Sequence, residues 1–474
     1  MRQFFAILKD SYREAVDGFV IYVMMALSAL MILIVASMSY TPTTPDEAFG
    51  SIVKRFNLVF PDQGRSQVFT GSSDEYRASD VKPSGGGYSL RVELKAQPAG
   101  GTVTDEKGTR PVLDEGDSFR KTVASWSKPP GKTGEVEVDD SKGKNGQKGG
   151  GGRRRVQFGE MSATPAEQKA VTDSQMETFI KSQFELHAGM NATVKRVTAG
   201  VSEPTYAFEV TTTGGSSVQG WPHTLKIFFG SVTISRDAPL GMVLYIVEDQ
   251  IINGLGSGLA LLISIIITSF FIPNMMRKGS IDLLVSKPIG RAQLLIYKFI
   301  GGLTFIFLLS TITIGGVWLA IAVRSGYWDP RFLVVIPVLT FTFAILYSVS
   351  TMVAVFTRSP IAAMIVTVGF AVFLYIVGTV KTMFDGFKAR GMDDIPDWAF
   401  TLVDTINNIL PRYKDLDKLT SKLIGEGALT PGESRLLGIA AIDYPSWSGT
   451  FGVSLIFIAI MMALSCWRFS KRDY

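Results

Sequence analysis

The run FIGGLTFIFLLSTITIGGVWLAIAV, Phe299–Val323, fills the interval between Lys298 and Arg324 with 25 residues that carry no charge. A helix rises about 1.5 Å per residue, so such a run can cross the roughly 30 Å hydrocarbon core of a bilayer. One run of this kind could still be a buried core helix, so the decision rests on recurrence. Uncharged intervals of 28, 27, 26, 22 and 24 residues separate Asp17 from Asp46, Asp249 from Arg277, Arg331 from Arg358, Arg358 from Lys381, and Asp443 from Arg468. A soluble core does not hold six helices of this length that are apolar all round. The expected fold is an α-helical polytopic membrane protein with six transmembrane helices and an inserted extracytoplasmic α+β domain. The spans are placed near Phe19–Ser39, Ile251–Pro273, Phe299–Val323, Phe332–Phe356, Ile361–Val380 and Thr450–Trp467.

The chain-wide average of 19% charged residues and a net charge of +5 over 474 residues therefore mixes two unlike materials. Its small positive excess is no sign of nucleic-acid binding. Arg2, Lys9 and Arg13 precede the first span, Arg277, Lys278, Lys287 and Arg291 lie between the second and third, and Arg468, Lys471 and Arg472 follow the last. By the positive-inside rule both termini are cytoplasmic, in a cell (inner) membrane. Residues 2–16 put Phe4, Phe5, Ile7, Leu8 and Tyr12 on one helical face and Arg2, Lys9, Asp10 and Arg13 on the other, which predicts an interfacial helix over 1–16. The remaining boundaries follow: a first span over 17–40, an external α+β domain over 41–247, and spans two to six over 248–474. Within the last are a cytoplasmic loop at 275–298 and an external segment at 381–448, read as short amphipathic helices resting on the membrane surface.

Within 41–247 the composition is that of a water-soluble domain, interrupted from about 125 to 159 by a Gly-, Lys- and Pro-rich linker that cannot bury a core. Thr164-Pro165-Ala166-Glu167 has the form of a helix start, with Met176, Phe179, Ile180 and Phe184 at helical spacing and a stop at Gly189. Strands are expected near Tyr88–Lys95, Ala192–Thr198, Thr205–Thr212 and Thr224–Ile234. His187 and His223 are the only histidines and Cys466 the only cysteine, so packing roles are read over a metal site and no disulfide forms within the chain.

The loop after the second span reads RKGSIDLLVSKPIGRAQLLIYK over Arg277–Lys298. Ser280 can cap a short helix whose Ile281, Leu284 and Val285 share one side and which Pro288 stops. This loop resembles the corresponding segment of ABC-2 type transporter permeases, in which an acidic-leucine run, Ser-Lys-Pro and a downstream Arg recur. The interfacial first helix is similar to that family's elbow helix, and Phe356-Thr-Arg-Ser-Pro-Ile-Ala-Ala363 is similar to its turn before the fifth span. The closest similarity is to the subgroup with a large external domain between spans one and two.

The resemblance implies the membrane subunit of an ATP-driven exporter. Ile281, Asp282, Leu283, Leu284, Ser286, Lys287, Pro288 and Arg291 would couple it to a separate ABC ATPase, with Arg358 and Pro360 in a second cytoplasmic turn. It also implies a second permease subunit, in a homo- or heterodimer within the lipid bilayer. No cofactor is bound directly, and ATP acts through the partner ATPase. Independently, no Gly-x-x-x-x-Gly-Lys-Ser/Thr loop occurs in the chain, so it is not read as an enzyme. The span centres carry no charge that would serve a proton or ion relay. Gly315, Gly316, Gly369 and Gly378 are read as helix-packing positions. The competing reading is a membrane-anchored binding or sensory protein acting through its external domain.

Overall fold

The computed structural model describes residues 20–59, 69–70, 74–105, 108–127, 165–198, 205–213, 219–254, 265–266, 269, 272–273, 290–389, 396–437, 439 and 444–471. The chain divides into two compact units, one of residues Met1–Thr41, His223–Leu429 and Ile442–Tyr474 and the other of Pro42–Pro222 and Thr430–Ala441. In chain order the first elements are helix α1 (Val20–Ala36) and strand β1 (Ser39–Pro42).

The second unit begins with α2 (Pro45–Lys54), whose first turn carries Asp46 and Glu47 where the helix dipole favours acidic side chains. It continues through β2 (Leu58–Val59), β3 (Phe69–Thr70), β4 (Glu75–Ser84), β5 (Gly87–Lys95), β6 (Pro98–Asp105) and β7 (Gly108–Asp117) to α3 (Ser118–Trp126). The short α4 (Pro165–Lys169) precedes α5 (Asp173–Ala188), and β8 (Asn191–Val197) and β9 (Thr205–Thr213) follow. Strands β4, β5, β9 and β8 form an antiparallel sheet in that order, with Val92 opposite both Ala78 and Phe208. Alternation along β5 and β9 sends Leu90, Val92, Leu94, Tyr206, Phe208 and Val210 into a core shared with Phe49, Phe56, Phe179 and Phe184 of the helices.

Strands β5, β8 and β9 fall where alternation placed them. The capping box lies later than the sequence reading put it: Thr172 and Gln175 start α5, and Gly189 ends it at a φ of 62°. Helix α3 runs to Trp126, into the first residues assigned to the linker; the rest of that linker lies outside the described residues.

The other unit resumes with β10 (Pro222–Ile227), β11 (Val232–Pro239) and α6 (Leu240–Gln250). The single strand expected over Thr224–Ile234 is instead a hairpin, turned at Phe228-Phe229-Gly230 where Gly230 N–H donates to Ile227 O at 3.2 Å. Then come α7 (Arg291–Ser325), α8 (Val335–Thr357), α9 (Pro360–Ala389), α10 (Asp397–Ile409) and α11 (Tyr413–Ala428). Helix α12 (Pro431–Leu436) belongs to the α/β unit, and α13 (Trp447–Ser470) closes the chain. Among the described residues four helices are long and apolar enough to cross a membrane: Arg291–Ser325, Pro330–Thr357, Pro360–Phe387 and Trp447–Ser470. Helix α1 is apolar but shorter, and most of the interval Ile251–Pro273 lies outside the described residues, so the structure supports four of the six expected spans directly.

Helix α8 is the hub, its residues buried on nearly every side while α9 and α13 keep broad apolar faces exposed. Small residues set the close approaches. A Cβ at Gly302 would stand 2.7 Å from Tyr347 Cε1, and Tyr347 stacks on Phe299 at 5.1 Å. A Cβ at Gly316 would stand 2.4 Å from Ile32 Cδ1 of α1, whereas nothing lies within 4 Å of one at Gly315 or Gly369. Of the glycines read as packing positions, Gly316 thus packs a helix and Gly315 does not. Ser28 and Thr313 add a hydroxyl pair at 2.6 Å between α1 and α7.

Gly316→Val is therefore expected to lower the thermal unfolding midpoint of the intact protein, by the equivalent of about 1–3 kcal/mol of overpacking. Gly315→Val should leave it nearly unchanged, and equal losses would contradict the packing described. In the α/β unit, His187 stacks on Phe56 and its Nε2 lies 3.1 Å from Leu58 O. Burial, and next Arg55, push its imidazole down to about 4. The neutral ring contributes stability that is complete above pH 6.5, the unfolded value, and is lost as pH falls toward 4, at most about 3 kcal/mol. His187→Gln cannot titrate, so its melting midpoint should fall less than wild type between pH 7 and pH 4.5; parallel profiles would contradict the assignment.

Candidate transport site

The four long helices define a bundle with two chemically different ends. At one end Arg291 opens α7, Arg358 caps α8 and Arg468 and Lys471 close α13. These lie together, since Cys466 Sγ approaches Ala292 O at 3.9 Å and the Arg468 guanidinium lies 5.7 Å from the Phe356 ring centre. No described acidic residue accompanies them at these helix ends. Arg358 takes a left-handed φ of 56°, its N–H donating to Ala354 O at 2.8 Å, and Pro360 starts α9 two residues later, so the expected turn is tight. Ile281, Asp282, Leu283, Leu284, Ser286, Lys287 and Pro288 lie outside the described residues; Arg291 is the described member of that set.

The opposite end carries both signs of charge. Glu248 of α6 is buried, and burial, then the neighbouring Asp329, push its carboxyl up to about 8, so it is mostly protonated at neutral pH. Asp249 beside it accepts from Asn253 Nδ2 at 2.7 Å and from Ser421 Oγ of α11 at 2.6 Å.

From this end α10 and α11 turn inward rather than lying on the surface as the sequence suggested. Helix α10 runs antiparallel along α9, with Phe400 5.4 Å from Phe384 and Asp404 accepting from Lys381 at 2.7 Å. The chain reverses at Leu410-Pro411-Arg412, and α11 returns along the same helix, Lys414 over the Tyr375 ring at 4.6 Å and Lys418 3.9 Å from Asp385. Tyr375 precedes Asp385 by ten residues of helix, so the turn sits about 15 Å inside the end of the bundle.

Packing agrees with this depth. Leu410 and Tyr413 join a cluster with Ile265, Leu346, Leu374 and Phe457, residues near the middle of α8, α9 and α13. The Arg412 N–H donates to Ser454 Oγ of α13 at 3.3 Å. The outward side of α10 bears exposed Trp398, Leu402, Ile406 and Ile409 at helical spacing, an apolar stripe suited to lipid rather than water.

The hairpin brings ionisable groups into a bundle whose spans have none at their centres. The Arg412 guanidinium donates to Asn408, while its Nε is buried without a hydrogen-bond partner. Asp417 is 7% exposed and lines a small cavity walled by Ile251, Ile252, Ile314, Val338, Leu339 and Thr342. Among the described residues no hydrogen bond reaches its carboxylate, and Lys414 supplies the nearby positive charge. Buried charge of this kind is costly and marks a functional position in a membrane bundle. The sequence reading placed Arg412, Lys414 and Asp417 on the outer membrane surface, because charged amphipathic helices of this kind commonly rest there. The available signal was the Leu410-Pro411 break between two amphipathic helices.

Cys466→Ala gives a cysteine-free background. In it, a cysteine at Leu410 should resist a membrane-impermeant maleimide in intact membranes, while one at the exposed Glu426 reacts readily. Equal labelling rates would return the hairpin to the surface.

Among the described residues no group of three or more His, Cys, Asp and Glu side chains could hold a metal ion. No curated protein matches the chain. A family model described as ABC-2 family transporter protein matches residues 156–474, which takes in every long apolar helix and the charged hairpin. On that match, over more than half of its length, the chain belongs to the ABC-2 transporter family and is a multi-pass membrane permease of ABC transport.

Proposed function

We propose that the chain is the membrane half of an ATP-driven exporter, moved by a separate ABC ATPase and paired with a second permease subunit, identical or different. Family membership together with the all-basic helix end carries this reading. In this arrangement the four long helices are joined by α1 and by a helix over Ile251–Pro273 to make six spans. The basic end faces the cytoplasm by the positive-inside rule, both termini lie there, and the α/β unit and charged hairpin face outward in an inner-membrane setting.

Ile281, Asp282, Leu283, Leu284, Ser286, Lys287 and Pro288 form the loop helix that seats in the ATPase, and Arg291 continues it into α7. Because α7 is one unbroken helix of 35 residues, a push at Arg291 reaches its far end as a rigid-body displacement. There Ile314 borders the Asp417 cavity, so the displacement reshapes the packing around the hairpin. ATP is hydrolysed in the partner and no cofactor is bound by this chain itself. Arg358 and Pro360 fix the second turn on the ATPase side.

Co-purification of the full chain with its ATPase tests the coupling assignment. Wild type should retain the ATPase and Leu284→Asp should lose it, because a carboxylate on the apolar side of the loop helix cannot be buried unpaired. Retention by the variant would overturn the role of the loop, and absence of any ATPase with wild type would overturn the exporter reading.

A further inference from the structure

The turn between β10 and β11 has an unusual sequence for its geometry. Phe228 and Phe229 both have positive φ, 50° and 56°, and Gly230 N–H closes the turn on Ile227 O at 3.2 Å. With Gly230 at 93°, three consecutive left-handed residues make the turn, a conformation that selects Asn and Gly because a Cβ is penalised there. Placing two phenylalanines in it opposes local preference, and such strain persists only where something outside the turn compensates. Packing within the protein does not: Phe228 is 57% exposed and Phe229 72%, with Val232 at 47% and Ile234 at 58% continuing the apolar surface along β11.

The position of this patch is fixed by its neighbours. Phe229 N–H donates to Ser37 O at 3.0 Å, and Thr41 Oγ1 donates to Thr224 O at 3.2 Å, so β10 runs back along β1 and its tip reaches the last turn of α1. The outer surface of α1 just before this point consists of Leu30, Leu33 and Ile34, all exposed. The same level is marked by Arg324 Nε donating to Met38 O at 2.7 Å and by the exposed Trp328 after α7, an arginine and a tryptophan of the kind that sit at a membrane interface. Lys226 stands two residues from the tip, about 7 Å along the strand, within reach of phosphate headgroups.

We propose that the Phe228-Phe229 tip of the β10–β11 hairpin is a membrane wedge, seated in the lipid interface beside the end of α1. The occupant of the apolar patch is the bilayer itself, because the patch continues the exposed apolar surface of α1. The tip thereby fixes the strands that leave the membrane against the lipid surface. The inference rests on the reading of α1 as a membrane helix.

Spin labels placed singly in the Cys466→Ala chain, reconstituted in nanodiscs of mixed zwitterionic and anionic phospholipid, separate the two claims. Collision with oxygen, which partitions into lipid, is compared with collision with a water-soluble nickel chelate. Labels at Leu30 report α1, labels at Phe228, Phe229 and Ile234 report the tip, and a label at Glu426 reports water. The expected result is an oxygen-dominated signal at 228 and 229, shallower than at Leu30, with Glu426 nickel-dominated. Nickel-dominated signals at 228, 229 and 234 with Leu30 in lipid would overturn the wedge alone. A nickel-dominated Leu30 would overturn the membrane reading of α1 and the wedge with it. Because both phenylalanines are exposed, cysteine there removes no internal packing; one label in lipid and its neighbour in water would also overturn the wedge as stated.

Discussion

The cost of placing charge in an apolar bundle is the constraint on which the rest of the structure depends. An ionised side chain inside low-dielectric packing costs several kcal/mol unless it is paired. The long helices respect this by excluding charge from their centres. The charges of Arg412, Lys414 and Asp417 come instead on a separate helical hairpin whose backbone is satisfied within its own two helices. Its ion pairs run outward in a ladder, Lys418 to Asp385 and Lys381 to Asp385 and Asp404, so the least paired groups are the deepest. Its contacts with α9 run along both helices, from Phe400 on Phe384 to Lys414 over Tyr375.

The hairpin and the hub helix share a packed environment. Gly302 and Gly316 draw α7 against α8 and α1. The hairpin packs against α9 and α13, and its Asp417 and Thr420 line the same cavity as Thr342 of α8. Ile314 of α7 and Asp417 of the hairpin both belong to that cavity's lining. A chain of packed helices thus links the basic end to the charged hairpin.

Much of this was legible in the sequence where a pattern has one physical cause. The uncharged interval 299–323 lies inside α7 and all but the first three residues of 332–356 lie inside α8, because length and apolarity alone decide a span. Strands β5, β8 and β9 appear because alternation between a core and a solvated face leaves a period of two. Strand β4, an edge strand reading EYRASDVKPS, was not legible because an edge tolerates polar residues on both faces and even Pro83. The Thr224–Ile234 run was read as one strand because Phe-Phe is the reverse of a turn signal. Insertion of the α10–α11 hairpin was hidden for another reason: its partners Tyr375 and Lys381 of α9 and Ser454 of α13 lie on other elements, and amphipathic charged helices look alike whether they rest on a membrane or line its interior. The sites of ATPase coupling rest on resemblance and family membership, since their residues lie outside the described part of the chain.

The depth of the hairpin is the central physical claim, and a distance measures it most directly. Spin labels at Leu374 and Leu410, paired in the Cys466→Ala chain in nanodiscs, should show strong dipolar broadening, because both positions belong to one packed cluster near the middle of the bundle. Labels at Leu374 and Glu426 should show little. Absence of broadening between 374 and 410 would place the turn at the membrane surface and remove the charged groups from the bundle interior.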